Sequence, residues 1–419
     1  MGRIGTLEAL RGVMALWVVI GHAIRHAGYM PADFGPLRPL FEPGHAVDVF
    51  IILSGFVIFF LLDRQPGTYR VFIVRRFFRL FPLFVVVLLV SAALHGWKTD
   101  ALALLPWPSD ALASSQRIHA ETAEHFWTHL LVHLTMLHGL VSGPILPSSD
   151  YAFVGQAWSI SVEWQFYLVA PFLFWLVVEG RWRALAATIV LICVVRFTNY
   201  GHEGFAVRQA GYFFVGILSF YAYRRLRDAR LNALMIDAMV LVAVAVVYMF
   251  LARGLSLMIW AAVFGLVIAE HQSNLTVVQR FGLALLNHPL LLWLGKVSYS
   301  VYMVHLLAMT AAIYALRALA PAMTQSSFAL ALVGWSIAGT VALAALTYRF
   351  VERPGMAFGK RLARDESYAG AGAGGEMARA PQDSLDMRLK ARSSMPVEVP
   401  VFSEDRATTT PEAGRTTAP

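Results

Sequence analysis

Residues 1–30 read MGRIGTLEALRGVMALWVVIGHAIRHAGYM, and the apolar run 7–27 inside that stretch carries both Arg11 and His22. A hydrocarbon core about 30 Å thick is crossed by about 20 apolar residues. An ionisable side chain within such a span is expensive and faces the interior of a helix bundle rather than lipid. From Arg11 to His22 is eleven residues, which at about 100° and 1.5 Å each makes three turns plus about 20° and a rise of about 16 Å. The two therefore share one helix face at different depths. Taken singly, a snorkelling arginine and an interfacial histidine are the plain account of each. A stripe holding both is what a polar interior requires.

The rest of the chain has the same character. Its 419 residues are 58% hydrophobic and 14% charged, with a mean hydropathy of +0.60, far too apolar for a soluble domain. This is the composition of an all-α polytopic membrane protein. Apolar runs near 7–27, 43–62, 77–95, 158–178, 184–200, 205–223, 234–252, 255–270, 293–317 and 326–349 predict about ten transmembrane helices. Connections on one side hold Arg64, Arg70, Arg75, Arg76, Arg79, Arg181, Arg183 and the cluster Arg224, Arg225, Arg227, Arg230. The opposite side offers only scattered cations, so the expected orientation is N-in and C-in. FWTHLLVHLTMLHGL (126–140) is read as an outer, interfacial helix inside the loop 96–157, because a span there would put the later arginines on the wrong side.

The net charge of +8 does not point to nucleic acid. Residues 365–419 hold nine acidic and six basic side chains, which leaves +11 on the membrane part, where it sets topology. Rich in Gly, Ala, Pro, Ser and Thr, that stretch is expected to be a disordered cytoplasmic tail behind a transmembrane domain spanning 1–355. The single cysteine, Cys193, excludes a disulfide within the chain.

Other polar residues point toward the same interior. GHAVDVFIILSGFVIFFLL (44–62) sets Asp48 one or two turns deep, near the level of His22. A carboxylate there can hold one imidazole nitrogen and leave the other to accept a proton. Ser54-Gly55 lies near mid-depth, where close helix packing is the ordinary use of small residues. TYRVFIVRRFFRLFP (68–82) presents Arg75, Arg76 and Arg79 from an aromatic helix start ended by Pro82. Guanidinium forks suit phosphate groups, with lipid headgroups as the commonest partners beside a membrane. YAFVGQAWSISVEWQFYLVAP (151–171) places Glu163 about one turn into its helix among Trp158, Trp164 and Tyr167, on the outer side. LGKVSYSVYMVH (294–305) puts Tyr302 and His305 on one face, and TYRFVERP (347–354) offers Glu352 to Arg353 or to one of Arg75, Arg76 and Arg79.

LEALRGVMALWVVIGH, VDVFIILSGF, RRFFRLFP, WSISVEWQFY, LGKVSYSVYMVH and VERP follow one another in an order that resembles the acyltransferase 3 family, over residues 5–355. The resemblance implies a multi-pass enzyme of the inner (cytoplasmic) membrane. Such an enzyme moves an acyl group, usually acetyl, from cytoplasmic acyl-CoA to a hydroxyl of a saccharide or glycolipid at the outer side. It maps the family's Arg-and-His hallmark onto Arg11 and His22, its arginine-rich element onto Arg75, Arg76 and Arg79, and its Ser-Gly-Phe element onto Ser54, Gly55 and Phe56. Acetyl-CoA or another acyl-CoA is then the donor, with its phosphates on the basic face, and no metal is expected. His22 would serve as general base or as nucleophile, supported by Asp48, with Glu163 and its tryptophans on the acceptor side. Two other classes fit parts of the pattern. A proton-coupled transporter or flippase also buries Arg, His, Asp and Glu. A metal site on His125, His129 and His133 has the right helical spacing, but it lacks the glutamate of a zinc-protease helix.

Overall fold

The computed structural model describes residues 4–65, 67–141, 143–197, 203–250 and 254–373. Among these residues every regular element is a helix. In chain order they are α1 Gly5–His26, α2 Gly44–Arg64, α3 Tyr69–Ala93, α4 His95–Ala103, α5 Asp110–Glu124, α6 Phe126–Leu134, α7 Trp158–Val178 and α8 Trp182–Phe197. There follow α9 Ala210–Leu226, α10 Ala233–Phe250, α11 Leu255–Ala269, α12 Val277–Leu286, α13 Pro289–Leu319, α14 Gln325–Thr347 and α15 Arg353–Ala373. Each of the ten expected apolar runs overlaps a helix among the described residues. Among the described residues five segments, carrying α1, α2, α7, α13 and α14, are long and apolar enough to cross a membrane, and α3 with α4 makes a sixth if that pair, bent by 63°, is one span. Residues Met1–Arg364 form one compact unit. Most of the expected tail, 374–419, lies outside the described residues, while 365–373 are the helical end of α15.

α1 runs along α13 and is flanked by α2 and α14, while α2 also meets α7, α9 and α11. With lipid outside, apolar burial gives little drive for helices to associate, so close packing has to hold the bundle. Two pairs of glycines provide it. Gly12 and Gly295 bring the α1 and α13 backbones together, and a methyl group on Gly295 would overlap the carbonyl of Glu8. Gly55 and Gly216 do the same for α2 and α9, where a methyl group on either would strike the other helix's backbone. The packing role of Ser54-Gly55 thus belongs to the glycine. Next to it, the fully buried Phe56 meets Phe220, Tyr223, Trp260 and Phe264 edge to face, the favoured arrangement for such rings.

α3 corrects one expectation. The arginine-rich segment and the span after it are a single helix that continues through Pro82. Thr68 starts it by accepting the Val71 N–H at 3.3 Å. Gly355 lies against the proline ring, so a neighbouring helix covers the point where the proline interrupts the backbone ladder. At nine residues, α6 is far too short to cross a bilayer. It turns His129 and His133 fully inward and leaves Trp127 and Leu131 exposed.

Candidate functional site

The stripe on α1 meets two cavities. Near its beginning, a chamber of about 80 Å³ is lined by Arg11, Ser54, Arg76, Arg79, Glu163 and Tyr167 among others. Near its end, a cavity of about 1120 Å³ is bordered by His22, Arg25, His26, Asp48 and Lys98. Tyr302 of α13 borders both.

At His22 a chain of hydrogen bonds decides which nitrogen is available. His305 Nδ1 lies 2.7 Å from the backbone carbonyl of Tyr302, which can only accept, so Nδ1 carries the hydrogen. With both rings neutral, His305 Nε2 is then an acceptor, and His22 Nδ1 donates to it across 2.9 Å. The proton on Nδ1 leaves His22 Nε2 with its lone pair. That nitrogen has no partner among the described residues, and the ring borders the large cavity. The two imidazoles stack with centroids 5.0 Å apart and planes 5° apart. The next turn adds His26, whose Nδ1 donates to the His22 carbonyl at 2.9 Å.

The chamber is a cage of arginines and acceptors. Arg79 pairs with Glu352, which is buried and also accepts from Ser300 Oγ at 2.6 Å. Arg76 lies over the rings of Phe72 and Tyr167 at 5.9 and 5.8 Å. Glu163 accepts from Tyr167 Oη and from Ser54 Oγ, the latter at 3.3 Å. Arg11 stands among them within reach of the charges of Arg79 and Glu163. Its Nε is buried and without a hydrogen-bond partner. A buried donor left without an acceptor is costly, and an arriving anion would satisfy it.

Three expected site residues sit elsewhere than the sequence placed them. Asp48 does not hold His22: it accepts from Ser256 Oγ at 2.8 Å and lies 3.9 Å from His45 Nδ1, although it borders the same cavity. Glu163 is in the arginine chamber rather than the His22 cavity. Five residues into α7, it faces Ser54 and Tyr167, while Trp158 at the helix start borders the cavity. Arg75 reaches Gln65 Oε1 at 3.4 Å and does not line the chamber, being about 100° around α3 from Arg76. Arg11, Ser54, Arg76 and Arg79 are brought together as expected, with Glu352 as the partner of Arg79. Reading the sequence missed His305 as the partner of His22, and Arg25, His26 and Lys98 as its surroundings. Tyr302 and His305, three apart on one face, were the available signal.

The loop histidines form a separate cluster. His133 and His138 stack at 4.1 Å with planes 5° apart, and His129 meets His133 edge-on at 6.2 Å. Parallel rings do not aim their lone pairs at a common point. Among the described residues no three His, Cys, Asp or Glu side chains are placed to hold a metal. Burial pushes His129 and His138 down to about 4, so both are neutral near pH 7.

A family model described as an acyltransferase domain, of the acyltransferase 3 type, matches residues 4–349. No curated protein and no solved structure matches the chain.

Proposed function

The chain belongs to the acyltransferase 3 family, and from that premise we propose that it is a membrane O-acyltransferase. It moves an acyl group, acetyl in the first instance, from acyl-CoA to a hydroxyl of an envelope saccharide or glycolipid. The observation that carries the reading is the hydrogen-bond chain from the Tyr302 carbonyl through His305 to His22, which leaves His22 Nε2 free at the cavity. In this scheme Nε2 takes the proton of the acceptor hydroxyl while its oxygen attacks the thioester carbonyl carbon. The tetrahedral intermediate expels CoA as its thiolate, which recovers the proton from His22. Attack by Nε2 itself, giving an acyl-histidine that the acceptor then opens, uses the same free lone pair.

The donor's phosphates belong at the arginine end. Arg11 brings a guanidinium whose buried Nε lacks a hydrogen-bond partner, and Arg76 and Arg79 line the same chamber. The chamber is small, about 80 Å³ against about 1120 Å³ for the cavity at His22. The donor's pantetheine arm reaches His22 only if the chamber widens at Tyr302, which is tied to Ser159 Oγ at 2.8 Å and to the Gln156 carbonyl at 3.0 Å. An N-in, C-in bundle of ten spans in the inner membrane puts this end on the cytoplasmic side with acyl-CoA. The test is thiol release by the purified chain in lipid nanodiscs, given acetyl-CoA and a panel of saccharides. Release that depends on an acceptor supports the enzyme. Saccharide movement across proteoliposomes without CoA release would replace it by a transporter.

A further inference from the structure

Charge is unevenly placed around the large cavity. Three carboxylates border it. Asp48 is occupied by Ser256, and Glu203 accepts from Tyr151 Oη at 2.7 Å. None of Glu42, Asp48 and Glu203 acts on His22 or His26, whereas Arg25 acts on both and Lys98 on His26. The charges that bear on His22 and His26 are thus cationic, although Arg25 also acts on Tyr151, which donates to Glu203.

Lys98 is the unusual member. It is 7% exposed, lines the cavity, and has a single hydrogen-bond acceptor, the Phe153 carbonyl, for three ammonium hydrogens. Arg25, in the last turn of α1, is half-buried, and its guanidinium has no partner among the described residues. Lys98, buried and short of acceptors, carries a desolvation cost that an arriving anion removes, and Arg25 borders the same cavity with a second positive charge. The donor's phosphates are placed at the far end of α1, beyond Tyr302, so the anion comes with the molecule that fills this cavity.

We propose that Arg25 and Lys98 form an anion subsite, which holds a carboxylate or phosphate group of the acceptor saccharide beside the hydroxyl presented to His22. This rests on the acyltransferase reading and narrows its acceptor to an acidic glycan. The subsite would orient the sugar as well as bind it, because an ionic anchor and the attacking hydroxyl are fixed on one ring or on adjacent rings.

The full chain in nanodiscs, with saturating acetyl-CoA, is given a glucuronate tetramer or the neutral glucose tetramer of the same linkage. Binding of each tetramer is measured separately by calorimetry. Wild type should favour the glucuronate tetramer at least tenfold in kcat/KM and in affinity, the scale set by losing a buried charge pair. Lys98→Gln and Arg25→Gln should bring the ratio between the two acceptors close to one, and Lys98→Arg should restore it. Equal use and equal binding of both tetramers by wild type would overturn the proposal. So would variants that slow both acceptors alike, which would move the two cations to the chemistry or to folding. Selective, Lys98-dependent binding of glucuronate without any acyl transfer would keep the subsite and reject the enzymatic reading instead.

Discussion

Replacing His305 by phenylalanine separates orientation from chemistry at the proposed base. The variant keeps a flat ring stacked on His22, where the native centroids are 5.0 Å apart. It removes both the Nε2 that accepts from His22 and the Nδ1 that donates to Tyr302. His22 Nδ1 then holds a hydrogen with no acceptor, and the tautomer with a bare Nε2 loses its advantage. An unsatisfied buried donor costs about 1–3 kcal/mol, so kcat should fall roughly 5- to 150-fold. The KM for acyl-CoA should hold, since the donor is anchored at the other end of α1. The assay is acceptor-dependent thiol release by the purified chain, with thermal unfolding to confirm that the variant is folded. In the double variant with His22→Ala, the His305 change should cost nothing more, because a partner cannot orient a base that is gone. A His305→Phe enzyme at wild-type rate, or one whose loss adds in full to that of His22→Ala, would refute the reasoning.

Arg11→Gln should lower kcat/KM for acyl-CoA roughly tenfold or more by removing a charge-assisted phosphate contact; an unchanged value measured across donor concentrations would take Arg11 out of donor binding. Glu352→Ala leaves the partly buried Arg79 without its counter-charge and should destabilise the bundle by up to about 3 kcal/mol. Calorimetric unfolding should show that loss largely recovered in Arg79→Met/Glu352→Met. Burial raises Asp150, in the loop before α7, from 3.8 to about 7. Between those values the folded chain binds more protons than the unfolded one, so stability falls as pH climbs from about 4 through 7 and the penalty is complete above 7. Asp150→Asn should therefore flatten the dependence of Tm on pH between 5 and 8 and raise Tm at pH 8; a native profile already flat over that range would contradict the assignment.

What a single helix dictates was legible in the sequence, and what two helices decide together was not. The stripe of Arg11 and His22 follows from helical period alone, and the two residues indeed reach the two cavities. The pair Arg79–Glu352 was foreseeable as one of several options because the sequence reading sets both residues on the same, cytoplasmic side. The His22–His305 bond joins residues 283 apart in the chain, and no local spacing says which spans are neighbours. Asp48 and Glu163 were placed at a depth but not around the helix axis. For Asp48 that angle is set where α2 packs closely on α9 at Gly55 and Gly216, and for Glu163 by the packing of α7 against α2. Lys98 read as one more loop cation, and its burial depends on α4 bending 63° away from α3.

The central claim is that His22 Nε2 is the group that handles the acceptor's proton or the acyl group. Acceptor-dependent thiol release by His22→Ala, at matched amounts of folded protein, tests it most directly. The account predicts a fall of roughly 10²- to 10⁴-fold with acyl-CoA binding retained. Release at the wild-type rate would contradict it and reduce His22 to a packing residue at the cavity wall.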